Sequence, residues 1–342
     1  MSTVALYFVA SPLQYLAARR IAETFEPGAR QVLVWYRPGM RAVIRAADWD
    51  ATAYMAWPRW EPLPGPFGRL RRLRDNLRQV ATLVGRCDTL HVHSAVFDTE
   101  AINYFLRGLP PACGARTMKA RILPDGLISI RRYPLSLPRR LAQFARKLRR
   151  LVAPELDYWS FSGDRIGSDA PFCDRIYVLR DLPHEYPPAR VVVLPALVTA
   201  PAVSPDDGGS ERRALVIGQP LVGAGLMAAS DRDAVTAGIR AWLAQAGIRR
   251  IFYKGHPKDP ALELNHPDYQ VITLDEALEV HLAHTFYDAV VGVRSTALLF
   301  ARQTSPASTR VLAFGWDRIR FKSDAERRDM ATAFSTCGVE IR

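Results

Sequence analysis

Cysteine is scarce: Cys87, Cys113, Cys173 and Cys337 stand far apart in 342 residues, with no paired spacing. That argues against a thiolate zinc site and gives no disulfide framework, so the thiols are expected to be ordinary and reduced. Long apolar runs are missing as well. Those at 191–194 and 289–293 fall far short of the roughly 20 residues a membrane-spanning helix needs, and no signal peptide opens the chain, so it is expected to stay in the cytoplasm. Internal repeats and low-complexity tracts are absent. So are zinc-finger and RNA-recognition signatures, which ranks nucleic acid low among partners.

What is present is ordinary for a folded protein, 49% hydrophobic and 23% charged residues, in a chain long enough for two domains with separate cores. The net charge of +12 points to an acidic partner: nucleic acid, an anionic membrane face, a nucleotide sugar or a polyanionic glycan. Short apolar strands alternate with helical periodicities, interrupted at 201–210 by a stretch rich in Pro, Asp, Gly and Ser. The pattern predicts two doubly wound α/β domains facing a cleft. The expected organisation is an N-terminal acceptor-side domain at 1–200, a linker at 201–213 and a nucleotide-sugar-binding domain at 214–315. A helical segment at 316–342 is expected to pack back on the first domain.

Function should gather where strands end, because open α/β sheets bind ligands at the carboxyl edge. The strand before Gly255, His256 and Pro257 stops abruptly, and the proline rigidifies the turn around the histidine. His256 can give a proton or a hydrogen bond to a phosphate, with Lys254 and Lys258 adding positive potential. The same residues also read as a capped loop with no ligand. Gly218 and Gln219 end the preceding strand, and a right-handed crossover sets them on the same sheet edge as Gly255. Ser295 and Thr296 open a helix where hydroxyls and free amides converge, a fit for phosphate or a simple cap.

In the first half, Ser11 caps a helix that begins at Pro12, with Gln14 the polar side chain best placed to reach a cleft. Asp125 sits between Pro124 and Gly126 at the end of another strand. Pro-Asp-Gly is also a common turn. His91 and His93 share one side of a strand, an arrangement read as packing because no third metal ligand is evident. Residues 131–152 carry eight basic residues and no acid, with Leu141, Phe144, Leu148 and Leu151 at helical spacing. Such a helix can lie on an anionic membrane through 131–150, contact an acidic acceptor, or simply pack its apolar side on the domain.

Pro124-Asp125-Gly126, His256-Pro257 and Ser295-Thr296, in that order, resemble the acidic-acidic-Gly, His-Pro and Ser-Ser/Thr motifs of bacterial sialyltransferases and polysialyltransferase-like glycosyltransferases of the GT-B fold. Ser11-Pro12-Leu13-Gln14 is similar to the family's first strand-to-helix turn. The chain departs in having Pro124 where the family's first carboxylate stands. The resemblance implies an inverting transferase that moves sialic acid or a related nonulosonate from a CMP-activated donor to a glycan or glycolipid hydroxyl. That work belongs to capsule or lipooligosaccharide biosynthesis at the inner face of the cytoplasmic membrane. It gives Asp125 the role of base and His256 that of phosphate-side catalyst. Gly218, Gln219, Lys254, Gly255, Pro257, Ser295 and Thr296 would hold the nucleotide, and Ser11 and Gln14 the acceptor. No metal or other cofactor is called for. The rivals are a GT-B transferase using CMP-Kdo or a sugar diphosphate, and a non-catalytic protein that binds anionic glycan or membrane.

Overall fold

The computed structural model describes residues 2–126, 132–197, 211–256 and 258–342. The chain divides into two compact units, Met1–Arg180 with His184–Leu197, and Asp181–Pro183 with Val198–Arg342. The proposed linker core at 201–210 lies outside the described residues, and Arg213 already begins a strand.

In the first unit the strands are β1 (Thr3–Val9), β2 (Arg30–Trp35), β3 (Ala51–Tyr54), β4 (Thr89–Ser94), β5 (Thr117–Ile122), β6 (Cys173–Val178) and β7 (Val191–Val193). They form one sheet in the order β3-β2-β1-β4-β5-β6-β7, parallel throughout. β1 is an interior strand, paired with β2 and β4, and Val4 to Val9 are all buried, as a parallel strand covered on both faces requires. The helices are α1 (Pro12–Phe25), α2 (Gly68–Val84), α3 (Glu100–Asn103), α4 (Phe105–Cys113) and α5 (Leu137–Lys147). On α2, Leu73, Leu77, Val80 and Val84 enter the core cluster with Phe105 and Leu109 of α4, the 3.6-residue periodicity doing its usual work.

Helix α5 departs from that rule. Its one buried side chain is Gln143, whose Oε1 accepts from the Phe161 amide at 3.1 Å. The apolar stripe points outward instead: Leu137 is 74% exposed, Leu141 72% and Phe144 64%, and Leu148 and Leu151 in the following 3-10 turn are exposed too. The packing role weighed for this stripe is therefore not the one it plays.

The second unit holds β8 (Arg213–Ile217), β9 (Arg250–Lys254), β10 (Gln270–Ile272), β11 (Ala289–Gly292), β12 (Arg310–Ala313) and β13 (Glu340–Ile341). Its helices are α6 (Ala229–Gln245), α7 (Leu278–His284), α8 (Ala297–Thr304) and α9 (Asp324–Thr336). The sheet runs β10-β9-β8-β11-β12-β13, parallel throughout. The direction of winding reverses between β1 and β4 in one sheet and between β8 and β11 in the other, the switch points where α/β sheets open a crevice.

The segment 316–342 contributes to the second unit's sheet: β13 pairs in parallel with β12, and the tilted rings of Trp316 and Phe334 of α9 meet at 5.2 Å. The Trp316 indole N–H also donates to the Val293 carbonyl at 3.1 Å. The edge of β12 and these buried rings need the segment where it is, in the second unit.

Candidate functional site

At the carboxyl edge of the first sheet, the turn after β1 holds Ser11 and Gln14 against Asp125, which follows β5. Ser11 Oγ accepts from the Gln14 amide at 3.3 Å, while Gln14 Oε1 accepts from the Ala10 amide at 2.7 Å, a variant of the capping box. With its oxygen so committed, the Gln14 side chain must aim its NH2 the other way, and Nε2 donates to Asp125 Oδ1 at 2.8 Å. Burial pushes the Asp125 carboxyl above the usual range, against the Gln14 hydrogen bond and the charge of Arg37, which pull it down. Gly126 follows with a φ of 57°, a left-handed turn that suits glycine. The same environment holds Tyr36 in its neutral form, burial first and then the Asp125 charge raising its pKa. Of the first-half residues, the structure thus brings Ser11, Gln14 and Asp125 into one cluster and adds Tyr36 and Arg37.

At the carboxyl edge of the second sheet, β8, β9 and β11 lie side by side, and their three following turns carry the remaining candidates. Gly218 is required by packing: a Cβ there would meet the Tyr253 hydroxyl at 2.4 Å and the Lys254 carbonyl at 3.0 Å, and its own amide donates to that carbonyl at 2.8 Å. Gln219 Oε1 accepts from the Arg294 amide at 3.1 Å, stitching the turn after β8 to the turn after β11 across the switch point. Ser295 Oγ accepts from the Ala297 amide at 3.2 Å. Thr296, at the N-cap of α8, makes no side-chain cap bond. Ser295 and Thr296 are half-buried.

His256 is exposed in the turn after β9. Its Nδ1 accepts from the Lys258 amide at 3.0 Å, which leaves the ring proton on Nε2. Desolvation, then the charge of Lys258 and finally that of Lys254, hold its pKa below the ordinary value, with Asp259 opposing them. The ring is therefore a neutral hydrogen-bond donor at pH 7. Lys254 turns its ammonium back onto the Gly255 carbonyl at 3.1 Å. Pro257 lies outside the described residues.

Three supporting residues were not singled out from sequence. Glu263 accepts from the amides of Leu221, Val222 and Gly223 at 3.0, 2.6 and 2.9 Å. Burial raises its pKa, but these three bonds outweigh it and the carboxylate stays ionised. Buried Asp259 takes the Glu263 amide at 3.0 Å, so the His256 loop and the loop after Gly218 are tied together. Arg294 reaches Glu326 of α9 at 3.2 Å, and Glu326, whose amide donates to Ser323 Oγ while its carboxylate accepts from the Lys322 amide, forms with Ser323 a variant of the capping box at the start of that helix. Ser323-x-x-Glu326 was readable as a helix start. Nothing local marks Glu263, because a carboxylate that binds distant amides has no sequence signature.

His91 and His93 do share one side of β4, facing Glu26: His91 Nδ1 lies 3.0 Å from its carboxylate. His93 stacks on Tyr7 at 4.3 Å and its pKa is pushed down to about 3, by burial and then by His91. Arg121 completes the cluster, pairing with Glu26 and with Asp174 at 3.1 Å. Asp98 and Glu100, the other carboxylates near a strand end, are buried in ion pairs with Arg139 and Arg69.

No protein family and no curated protein matches the chain in sequence. Solved structures do match in fold. A 2,6-sialyltransferase of a Photobacterium species, in complex with CMP and lactose, has a TM-score of 0.54 at 12% identity, over 99% of this chain and 78% of that one. A glycosyltransferase of kitacinnamycin has a TM-score of 0.52 at 12% identity, over 99% of this chain and 86% of that one. At this identity the likeness speaks for architecture. With its two parallel sheets and their switch points, this chain has the GT-B glycosyltransferase fold.

Proposed function

We propose that the protein is an inverting, metal-independent glycosyltransferase that moves sialic acid or a related nonulosonate from a CMP-activated donor to the hydroxyl of a glycan or glycolipid. The observation that carries the reading is Asp125: a half-buried carboxylate of raised pKa, oriented by Gln14 at the carboxyl edge of the first sheet. A carboxylate held above its usual pKa is a stronger base for the deprotonation of an acceptor hydroxyl. The second unit suits the leaving group. Neutral His256 can donate Nε2–H to a phosphate oxygen, and the Ser295 and Thr296 hydroxyls at the positive end of α8 can hold the rest of its charge. Gly218 and Gln219 stand in the turn after β8, Lys254 and Gly255 at the end of β9, and Ser11 stands on the acceptor side with Gln14. The resemblance of the three motifs to those of sialyltransferases supports CMP-sugars over sugar diphosphates, and the basic segment 131–150 supports contact with an anionic membrane face.

The test is a donor screen read by mass spectrometry. CMP should raise the melting temperature, and CMP-sialic acid should be consumed in preference to CMP-Kdo and UDP-sugars. Replacing His256 with Ala should slow turnover by roughly 100- to 10,000-fold. A protein that ignores CMP, or a His256→Ala variant with normal turnover, refutes the reading.

A further inference from the structure

The first unit contains a pocket of about 420 Å³ that none of the candidate catalytic residues lines. Five arginines line it, Arg59, Arg69, Arg139, Arg146 and Arg165, against two acidic residues, Asp98 and Glu100. Both carboxylates are buried and already paired: Asp98 with Arg139 at 2.8 Å and Arg165 at 3.5 Å, Glu100 with Arg69 and Arg149. These pairs preorganise the guanidinium groups without cancelling them, and Arg59 is exposed with no carboxylate partner among the described residues. A pocket with such a surplus of positive charge is built for an anion carrying two or more negative charges or several acceptor oxygens.

Two further observations say where the anion comes from. Helix α5 lines the pocket through Pro138, Arg139, Ala142 and Arg146, and the same helix exposes Leu137, Leu141 and Phe144, continued by Leu148, Leu151 and Val152. An outward apolar stripe on a segment with eight basic residues and no acid is the pattern of a helix that lies in the headgroup region of an anionic bilayer. Trp57, on the pocket wall, stacks at 4.5 Å on Tyr36, the residue whose phenol feels the Asp125 charge. One aromatic pair thus leads from the pocket wall toward the proposed base.

We propose that α5 and the pocket behind it form a seat for an anionic phospholipid: the stripe enters the bilayer surface and the pocket takes the phosphate headgroup. The inference rests on the proposed function only in making the acceptor a membrane-borne glycan, presented to Asp125 past Trp57 and Tyr36.

Vesicle co-sedimentation of the full chain tests it. Vesicles with roughly one-third phosphatidylglycerol should bind the protein and pure phosphatidylcholine should not, with binding weakened by salt. The double variant Leu141→Glu, Phe144→Glu should lose about 100-fold in partitioning, and Arg59→Gln about fivefold, the worth of one basic residue near an anionic surface. Partitioning that is unchanged in both variants, or a stripe found to hold a second copy of the chain in a dimer by sedimentation, overturns the proposal. Binding needs no nucleotide, so a protein that docks on vesicles yet consumes no CMP-sugar refutes the enzymatic reading alone. One that turns over donor yet ignores anionic vesicles refutes this one alone.

Discussion

Gln14→Leu isolates one contribution to the acidity of Asp125. The Nε2–H to Oδ1 bond is 2.8 Å long and stabilises the ionised carboxyl more than the neutral one, so its loss must raise the pKa further above the usual range. A hydrogen bond to a charged group is worth about 1.5 to 3 kcal/mol, which at 1.36 kcal/mol per unit corresponds to about one to two pKa units. Burial and Arg37, the other influences on Asp125, stay in place. If Asp125 is the base, kcat/KM rises with pH as the carboxyl ionises, and this limb should move up by that one to two units in the variant. At a pH below the limb the rate falls about 10- to 100-fold, while the alkaline plateau stays close to that of the parent. The assay is donor turnover across pH with a soluble acceptor. The substitution also removes the acceptor for the Ala10 amide, a cost of about 1 to 3 kcal/mol in stability, so melting curves must show the variant folded. A folded variant whose limb does not move would refute the reasoning, and so would an Asp125→Asn variant that keeps it.

Two other outcomes are expected. Gly218→Ala forces a Cβ to within 2.4 Å of the Tyr253 hydroxyl, so calorimetry should show a melting temperature lower by roughly 3 to 10 °C, from an overpacking cost of about 1 to 3 kcal/mol; an unchanged melt would mean the strands have slack there. His93, with its pKa pushed down to about 3 from 6.5, stays neutral in the fold while the unfolded chain takes up a proton between those values. Its contribution is therefore complete above about pH 6.5 and fades as pH falls toward 3, by about 1.4 kcal/mol per unit; urea melts should show that slope reduced in His93→Phe, and equal slopes would count against it.

The strands were legible because a parallel strand buried on both faces is a short apolar run, as at 4–9 and 214–217, and α1 because Ser11 and Pro12 announce it. Three things were not legible. β3 is a half-buried edge strand with no alternation to notice. The short β13 is specified by the open edge of β12, and the rings of Trp316 and Phe334 that fix the segment meet only in three dimensions. For α5, periodicity gave the stripe but not its direction: the pattern Leu141, Phe144, Leu148 is the same whether the face meets a core or solvent. The individual candidates at strand ends were visible as residue types, whereas their orienting partners, Gln14 for Asp125 and Glu263 for the loop after Gly218, follow from contacts across 111 and 40 positions.

The ion pair between Arg294 and Glu326 ties the order of synthesis to the order of assembly. On a ribosome the first sheet, complete by Val193, can close while the second is still unmade. The turn before Ser295, by contrast, waits about 30 residues for its clamp on α9, and β12 waits for β13. A nascent chain paused between these points would carry a finished first unit and a second unit lacking its last brace. Removing residues 323–342 should for that reason trap a state in which Asp125 is set and Arg294 is loose.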